Sequence, residues 1–360
     1  MNQLPMYEPE SYLQALQRKH AANWPNLVSA RERASAKRGE LRNALAGKDS
    51  EDTSIVVFGS LARDEFTNGS DIDWTLLIDG FADTQHLNLA KNIREIVKTC
   101  SEKDPGPEAT FGSMAWSHSL VHLIGGEDDT NRNTTQRILM LLESTVVGRR
   151  EAYDRVRNHI LDRYILEDSR FVSKDAKYRV PRFLLNDFAR YWRTMAVDFA
   201  YKRRTRDQKG IAIRNIKLRM SRKLIYVSGL LACFGCHLEL GVEERNALFD
   251  DADAKRQATV FFRDTLQRTP LEILSGVLLR YPHLHPTASS ILNAYDAFLG
   301  VLADDDNRKR LEALLPAQQD DDPIYQHLRQ ISHRFRDGVL DLFFDVESGL
   351  FELTKVYGVF

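Results

Sequence analysis

The spacing of apolar and polar positions changes character twice along the chain. Residues 8–47 carry helical spacing with many polar positions, which predicts one or two helices broken or kinked near Pro25. Ile55-Val56-Val57-Phe58 is then a continuous β-branched and aromatic run, as a buried strand requires, and it stops at Gly59-Ser60. A turn-rich loop containing Asn68-Gly69-Ser70 follows. Asp71 to Leu76 alternate strictly between polar and apolar, which predicts a half-buried strand. Helical spacing returns over 86–100, and Glu108 to Trp116 predicts a further strand. From about Asn133 onward the helical period dominates, most clearly over 133–167, 181–204, 211–233, 254–278, 286–303, 307–316 and 323–356.

This order predicts an α+β protein. A small mixed sheet with flanking helices is expected over 51–150, after an N-terminal helical arm over 1–50. A helical domain with a C-terminal tail is expected over 151–360. Internal repeats and low-complexity segments are not visible. The clusters Asp304-Asp305-Asp306 and Asp320-Asp321-Asp322 read as solvated loops.

Composition narrows the class. Of 360 residues, 43 % are hydrophobic and 28 % charged, which is ordinary for a globular protein. No apolar run approaches the ~18 residues of a membrane span, so no membrane partner is expected. A signal-peptide pattern is not seen, and three cysteines do not make a secreted disulfide framework, so a cytoplasmic setting is expected. The net charge of -1 means that attraction for nucleic acid has to come from a local patch.

Two features carry chemistry. In a strand, residues i and i+2 share a face, so Asp71 and Asp73 point together while Ile72, Trp74 and Leu76 point into a core. Two carboxylates on one face repel unless cations or donors lie between them. Phosphoryl transfer with two Mg²⁺ ions, or Mn²⁺ in their place, needs this arrangement. The Gly59-Ser60 turn supplies a close backbone approach, exposed amides and a hydroxyl for phosphate. A helix starting at Ser60 would add its dipole, and Arg63 one turn on is expected to reach the same phosphates. Singly, Asp-X-Asp and Gly-Ser are common, and the plain alternative is a surface hairpin with solvated aspartates. Their order on two strands is more specific.

The segment FGSLARDEFTNGSDIDW resembles the signature of the DNA polymerase beta superfamily of nucleotidyltransferases. Within it, the bacterial uridylyl- and adenylyltransferases that modify nitrogen-regulatory proteins look similar. Thr134-Thr135 through Leu141-Leu142-Glu143-Ser144 to Gly148, Asn186-Asp187 with Arg190-Tyr191-Trp192, and Asn215-Ile216-Lys217 resemble their later helices. The similarity extends over about residues 50–230, strongly at the first motif and loosely after it. It implies a third carboxylate on a neighbouring strand, for which Glu108 is the candidate; Glu127, Asp128 and Asp129 read instead as a helix start. Without a third carboxylate, a nucleotide-binding regulator that does not turn over remains the rival reading.

Fourteen Lys and Arg residues lie between Arg179 and Lys223, opposed only by Asp187, Asp198 and Asp207. Such a concentration attracts a triphosphate or a nucleic-acid backbone, although a solvated basic face is the bland alternative. The resemblance puts this region beside the cleft, with Arg190, Asn215 and Lys217 as nucleotide-binding candidates.

Cys233-X-X-Cys236-His237 has the spacing of haem attachment, but it ends an apolar helical segment, and buried thiols are the better reading. His118 and His122 share a helix face and are too few for a metal site. Tyr357 lies near the chain end, where a tyrosine on a mobile tail can accept a nucleotide; a tail tucked into an apolar groove is the alternative. Size and layout resemble anti-phage nucleotidyltransferases of the Hailong type, which are associated with a C-terminal tyrosine. The expected activity is transfer of a nucleotidyl group from NTP or dNTP to a hydroxyl. Template-independent synthesis of a single-stranded product for defence signalling, with an effector protein as partner, is preferred over modification of a protein or tRNA.

Overall fold

The computed structural model describes residues 10–101, 111–171, 173, 178–205, 210–247 and 252–358. Four strands form one mixed sheet in the order β3-β2-β1-β4. Strand β1 (Thr53–Phe58) pairs antiparallel with β2 (Trp74–Ile78) and with β4 (Ser144–Val146), while β3 (Ser113–Trp116) runs parallel to β2.

Seventeen helices surround and extend this sheet among the described residues. The first part contributes α1 (Tyr12–Lys19), α2 (Pro25–Ala44), α3 (Gly59–Ala62), α4 (Gln85–Thr99) and α5 (Ser117–Val121). Next come α6 (Asn131–Leu142), α7 (Glu151–Leu166), α8 (Arg182–Thr205), α9 (Ile211–Lys217) and α10 (Lys223–Glu239). The remainder is α11 (Val242–Ala247), α12 (Ala252–Leu266), α13 (Pro270–Arg280), α14 (His285–Ala303), α15 (Asp305–Ala313), α16 (Pro323–Phe343) and α17 (Leu350–Leu353). The architecture is α+β, and no described helix is long and apolar enough to cross a membrane.

Every residue of β1 and β2 is buried, because both faces of the sheet are covered. Ile55, Val57, Leu76 and Ile78 pack with Ala34 and Leu41 of α2 and Ile93 and Val97 of α4. The residues of opposite parity, Val56, Phe58 and Leu77, enter the core that continues through the later helices. This two-sided burial explains why β1 reads as a continuous apolar run.

Several predicted helical stretches are interrupted. Pro25 opens α2 at the position where its missing N–H is not needed. The stretch 133–167 is not one helix: α6 ends at Leu142, and Ser144–Val146 turns back to pair with β1. Thr269 caps α13 ahead of Pro270 and divides 254–278. A π-helical turn, Leu218–Arg222, joins α9 to α10. The acidic clusters are helix starts rather than free loops, since Asp304 accepts from the Asn307 N–H and Asp322 from the Tyr325 N–H. Asp129 likewise precedes α6. It is buried against the wholly buried Arg137, which also bonds Asp187 and the Tyr164 hydroxyl and so ties α6, α7 and α8 together.

Candidate functional site

The chain leaves β1 through Gly59, whose φ of 68° lies in the left-handed region that favours glycine. Leaving β1, it winds directly into the four-residue α3. The turn beyond is pinned from α2: Arg38 donates to the Leu61 carbonyl at 2.6 Å and to Asp64 at 2.7 Å. Asp64 itself has a positive φ of 62°.

Residues 71–73 precede the ladder of β2 as an extended lead-in, because the Phe58 N–H donates to the Asp73 carbonyl at 2.9 Å. Burial alternates there: Ile72 and Trp74 are buried, while Asp71 and Asp73 are half-buried. The Asp73 carboxylate lies against the Gly59 turn, where a methyl on Gly59 would stand 3.2 Å from Asp73 Oδ2. The strand-end glycine and the second aspartate of the motif therefore meet in space.

Lys217, at the end of α9, is half-buried beside Asp71. Burial pushes its ammonium down to about 8; Asp71 opposes that shift, and Arg308, Arg222 and Arg63 reinforce it. Asn215 sits on a different side of α9 and accepts from Arg219 Nε at 2.8 Å. Of the two predicted positions on this helix, Lys217 is the one that feels the charge of Asp71.

Arg63 is placed differently from expectation. It is buried and paired with Glu65 at 2.8 Å and with Glu143 at the end of α6. Burial penalises its charge, yet these carboxylates hold the guanidinium well above its usual range. Its hydrogen bonds are spent on that ion triad behind the turn, not on an open phosphate site. Arg190 is also committed elsewhere, donating to the Asp129 carboxylate at 3.1 Å and to its carbonyl at 2.5 Å. It faces a separate cavity that also includes Tyr357. Tyr357 lies in a π-helical turn after α17, half-buried, with its ring edge-on to Tyr178 at 6.0 Å. At that position the tail is packed rather than free. Glu108 lies outside the described residues.

One contributor has no counterpart in the local sequence pattern. Arg308 of α15 is buried and donates to Thr67 Oγ1 at 3.3 Å and to Glu312 at 3.3 Å. Its Cδ would stand 2.8 Å from a methyl on Gly69. It thus lies along the loop that delivers Asp71. The Gly210 N–H donates to the Glu312 carbonyl at 2.8 Å, so α15 also holds the start of the helix that ends in Lys217.

Among the described residues no group of three His, Cys, Asp or Glu could by itself hold a metal ion. The carboxylates of Asp71 and Asp73 nevertheless have the donor chemistry for Mg²⁺, which takes hard oxygen donors and often only one or two carboxylates, completing its shell with water and substrate phosphates. His118 and His122 pack ring to ring at 5.1 Å. Cys233 and Cys236 are buried within α10, and burial pushes both thiols up.

The arrangement has parts for handling a phosphate chain: a glycine turn, the Asp73 carboxylate against it, and a lysine within electrostatic reach of Asp71. No curated protein matches the chain. Residues 38–115, which run from Arg38 into β3, match the family model described as "Nucleotidyltransferase domain", so this segment is similar to the nucleotidyltransferase domains that the model describes.

Proposed function

We propose that the protein transfers a nucleotidyl group from an NTP or dNTP to a hydroxyl in a divalent-metal-dependent reaction. The observation that carries this reading is the apposition of the Asp73 carboxylate to the Gly59 turn, with Lys217 within electrostatic reach of Asp71. In the proposed reaction the acceptor oxygen bonds to the α-phosphorus, the α–β bridging bond breaks, and pyrophosphate leaves as the hydroxyl proton passes to solvent. Asp71 and Asp73 would hold Mg²⁺ or Mn²⁺, with Glu108 as a proposed third ligand. The metal would neutralise charge on the phosphates and lower the pKa of the attacking hydroxyl. The amides of Gly59 and Ser60 would receive the β- and γ-phosphates, and Lys217 would offset charge developing on the leaving group.

For the acceptor, template-independent synthesis of a single strand in an anti-phage, cytoplasmic setting is the preferred reading, with an effector protein responding to the product. It rests on the resemblance in size and layout. Tyr357 is a second acceptor to test; it rests on the same resemblance, and its labelling would require the turn Thr354–Gly358 to leave its packing against Tyr178.

The test is incubation with each labelled NTP and dNTP plus Mg²⁺ or Mn²⁺, with products resolved on a denaturing gel. Label should enter a product in wild type and in neither Asp71→Ala nor Asp73→Ala. Full activity in those variants overturns the metal assignment, and absence of turnover with every nucleotide favours a non-catalytic regulator. Label that stays with wild-type protein but not with Tyr357→Phe identifies the tail as acceptor. Label on added tRNA or protein selects the modification reading.

A further inference from the structure

A cavity of ≈ 1420 Å³ is formed by α8, the segment before it, the middle of α10 and the turn after α17. Its volume exceeds the ~300–1,000 Å³ that suits one small ligand. The wall is cationic: among its described lining residues, Arg170, Arg182, Arg190 and Arg193 face a single carboxylate, Asp198. Asp198 is paired with Lys202 at 2.6 Å, which leaves the balance positive.

Two of these guanidinium groups are held from behind by carboxylates that are almost wholly buried. Arg182 is 3.0 Å from Asp168, and Arg190 is 3.1 Å from Asp129. Their positions are fixed before any ligand arrives. Arg193 is exposed. Between them, Trp192 lies stacked on Tyr226 with centroids 5.5 Å apart and planes 13° from parallel. Further along α8, Tyr201 on the same wall is 61 % exposed. Flat aromatic surfaces alternating with guanidinium groups along a groove are what a single-stranded nucleic acid requires, since bases stack on the rings and phosphates meet the cations. An acidic peptide would use the charges but leave the stacked rings without a role.

We propose that this cavity binds a single-stranded oligonucleotide of a few residues, at a site separate from the Asp71/Asp73 centre. None of the cavity's described lining residues belongs to that centre. Tyr191, between Arg190 and Trp192 on α8, is buried away from the cavity and feels the charges of Glu143, Arg222 and Arg63. Binding itself does not need transfer. Identifying the bound strand as acceptor or product rests on the transferase reading above.

The experiment uses the full chain and fluorescein-labelled single-stranded RNA and DNA about eight nucleotides long, read by fluorescence anisotropy in EDTA without nucleotide. Affinity should fall linearly in log–log form with salt. Arg193→Ala should reduce that slope by about 1. Trp192→Ala should weaken binding about tenfold, corresponding to loss of one stacked base. Asp73→Asn should bind like wild type, which separates this site from the transferase centre. The site assignment is overturned if neither strand binds, if both cavity variants bind as wild type, or if a poly-glutamate peptide binds as well as the oligonucleotide. Thermal unfolding of each variant is recorded alongside. Should Trp192→Ala unfold, the exposed Arg193→Glu variant decides: retained wild-type affinity overturns the proposal. An enzyme that transfers nucleotides yet shows no strand binding rejects this inference and leaves the transferase reading intact.

Discussion

The Asp73 carboxylate sits against the α-carbon of Gly59, so closely that a methyl there would lie 3.2 Å from Oδ2. Gly59 also holds a φ of 68°, which costs an L-residue about 1–2 kcal/mol. The Gly59→Ala variant should therefore lose about that much stability in urea denaturation. Its transfer activity should fall far more, because the added methyl displaces the carboxylate. A variant that loses stability but keeps full activity would show that the contact has no catalytic consequence.

Arg63 separates a structural role from a phosphate-binding one. Replacing it with Met leaves Glu65 and Glu143 buried without their cation, which should destabilise the fold by about 3–5 kcal/mol. Chemical denaturation of wild type and Arg63→Met measures this directly. Unchanged stability with a raised KM for nucleotide would restore the phosphate-binding role that the sequence suggests.

Lys217 gives the site a pH dependence of defined sign. With its ammonium lowered to about 8, the charged form available to an anionic nucleotide is full below that pH and is lost as pH rises through it. The KM for nucleotide should increase above about pH 8 in wild type. The rise should vanish in Lys217→Met, whose affinity is weak throughout, and move to higher pH in Lys217→Arg. The linkage for stability runs the other way. Because the unfolded chain keeps this proton up to the ordinary lysine range, folding from this group should strengthen between about pH 8 and that range. Equilibrium unfolding across those pH values, compared with Lys217→Met, checks the sign.

Arg308 braces the loop ahead of Asp71 without being a candidate to touch nucleotide. Arg308→Ala should lower kcat more than it raises KM, and Arg308→Lys should restore little, since one ammonium does not reproduce both the Thr67 and Glu312 bonds. Steady-state kinetics over a Mg²⁺ titration would also show weakened metal dependence if the loop is loosened. A uniform loss of folded protein, seen by calorimetry, would instead assign Arg308 to stability alone.

What the sequence disclosed follows from distance along the chain. Gly59, Asp71 and Asp73 were legible because a strand, a turn and an alternating lead-in place them by local rules. Lys217 required a family likeness to be singled out, since its helix pattern alone does not say which side of α9 meets Asp71. Arg308 was invisible because its partner Thr67 is 241 residues away, and nothing in α15 marks it apart from its neighbours. Strand β4 was read as helix because three residues have no period of their own. Ser144–Val146 is a strand only through its pairing with β1. The two capping aspartates, Asp304 and Asp322, followed a rule that applies to helix starts and was masked by the acidic residues around them.

The bond from Arg308 to Thr67 also bears on how the protein is made. The loop that presents Asp71 emerges from the ribosome long before α15, and until Arg308 arrives it has only its local bonds between Thr67 and Ser70. Lys217 is likewise tethered to α15 through the helix that begins after Gly210. A nascent chain would carry the aspartates before the Arg308–Thr67 and Gly210–Glu312 bonds are in place, so a fully braced site waits on synthesis through α15.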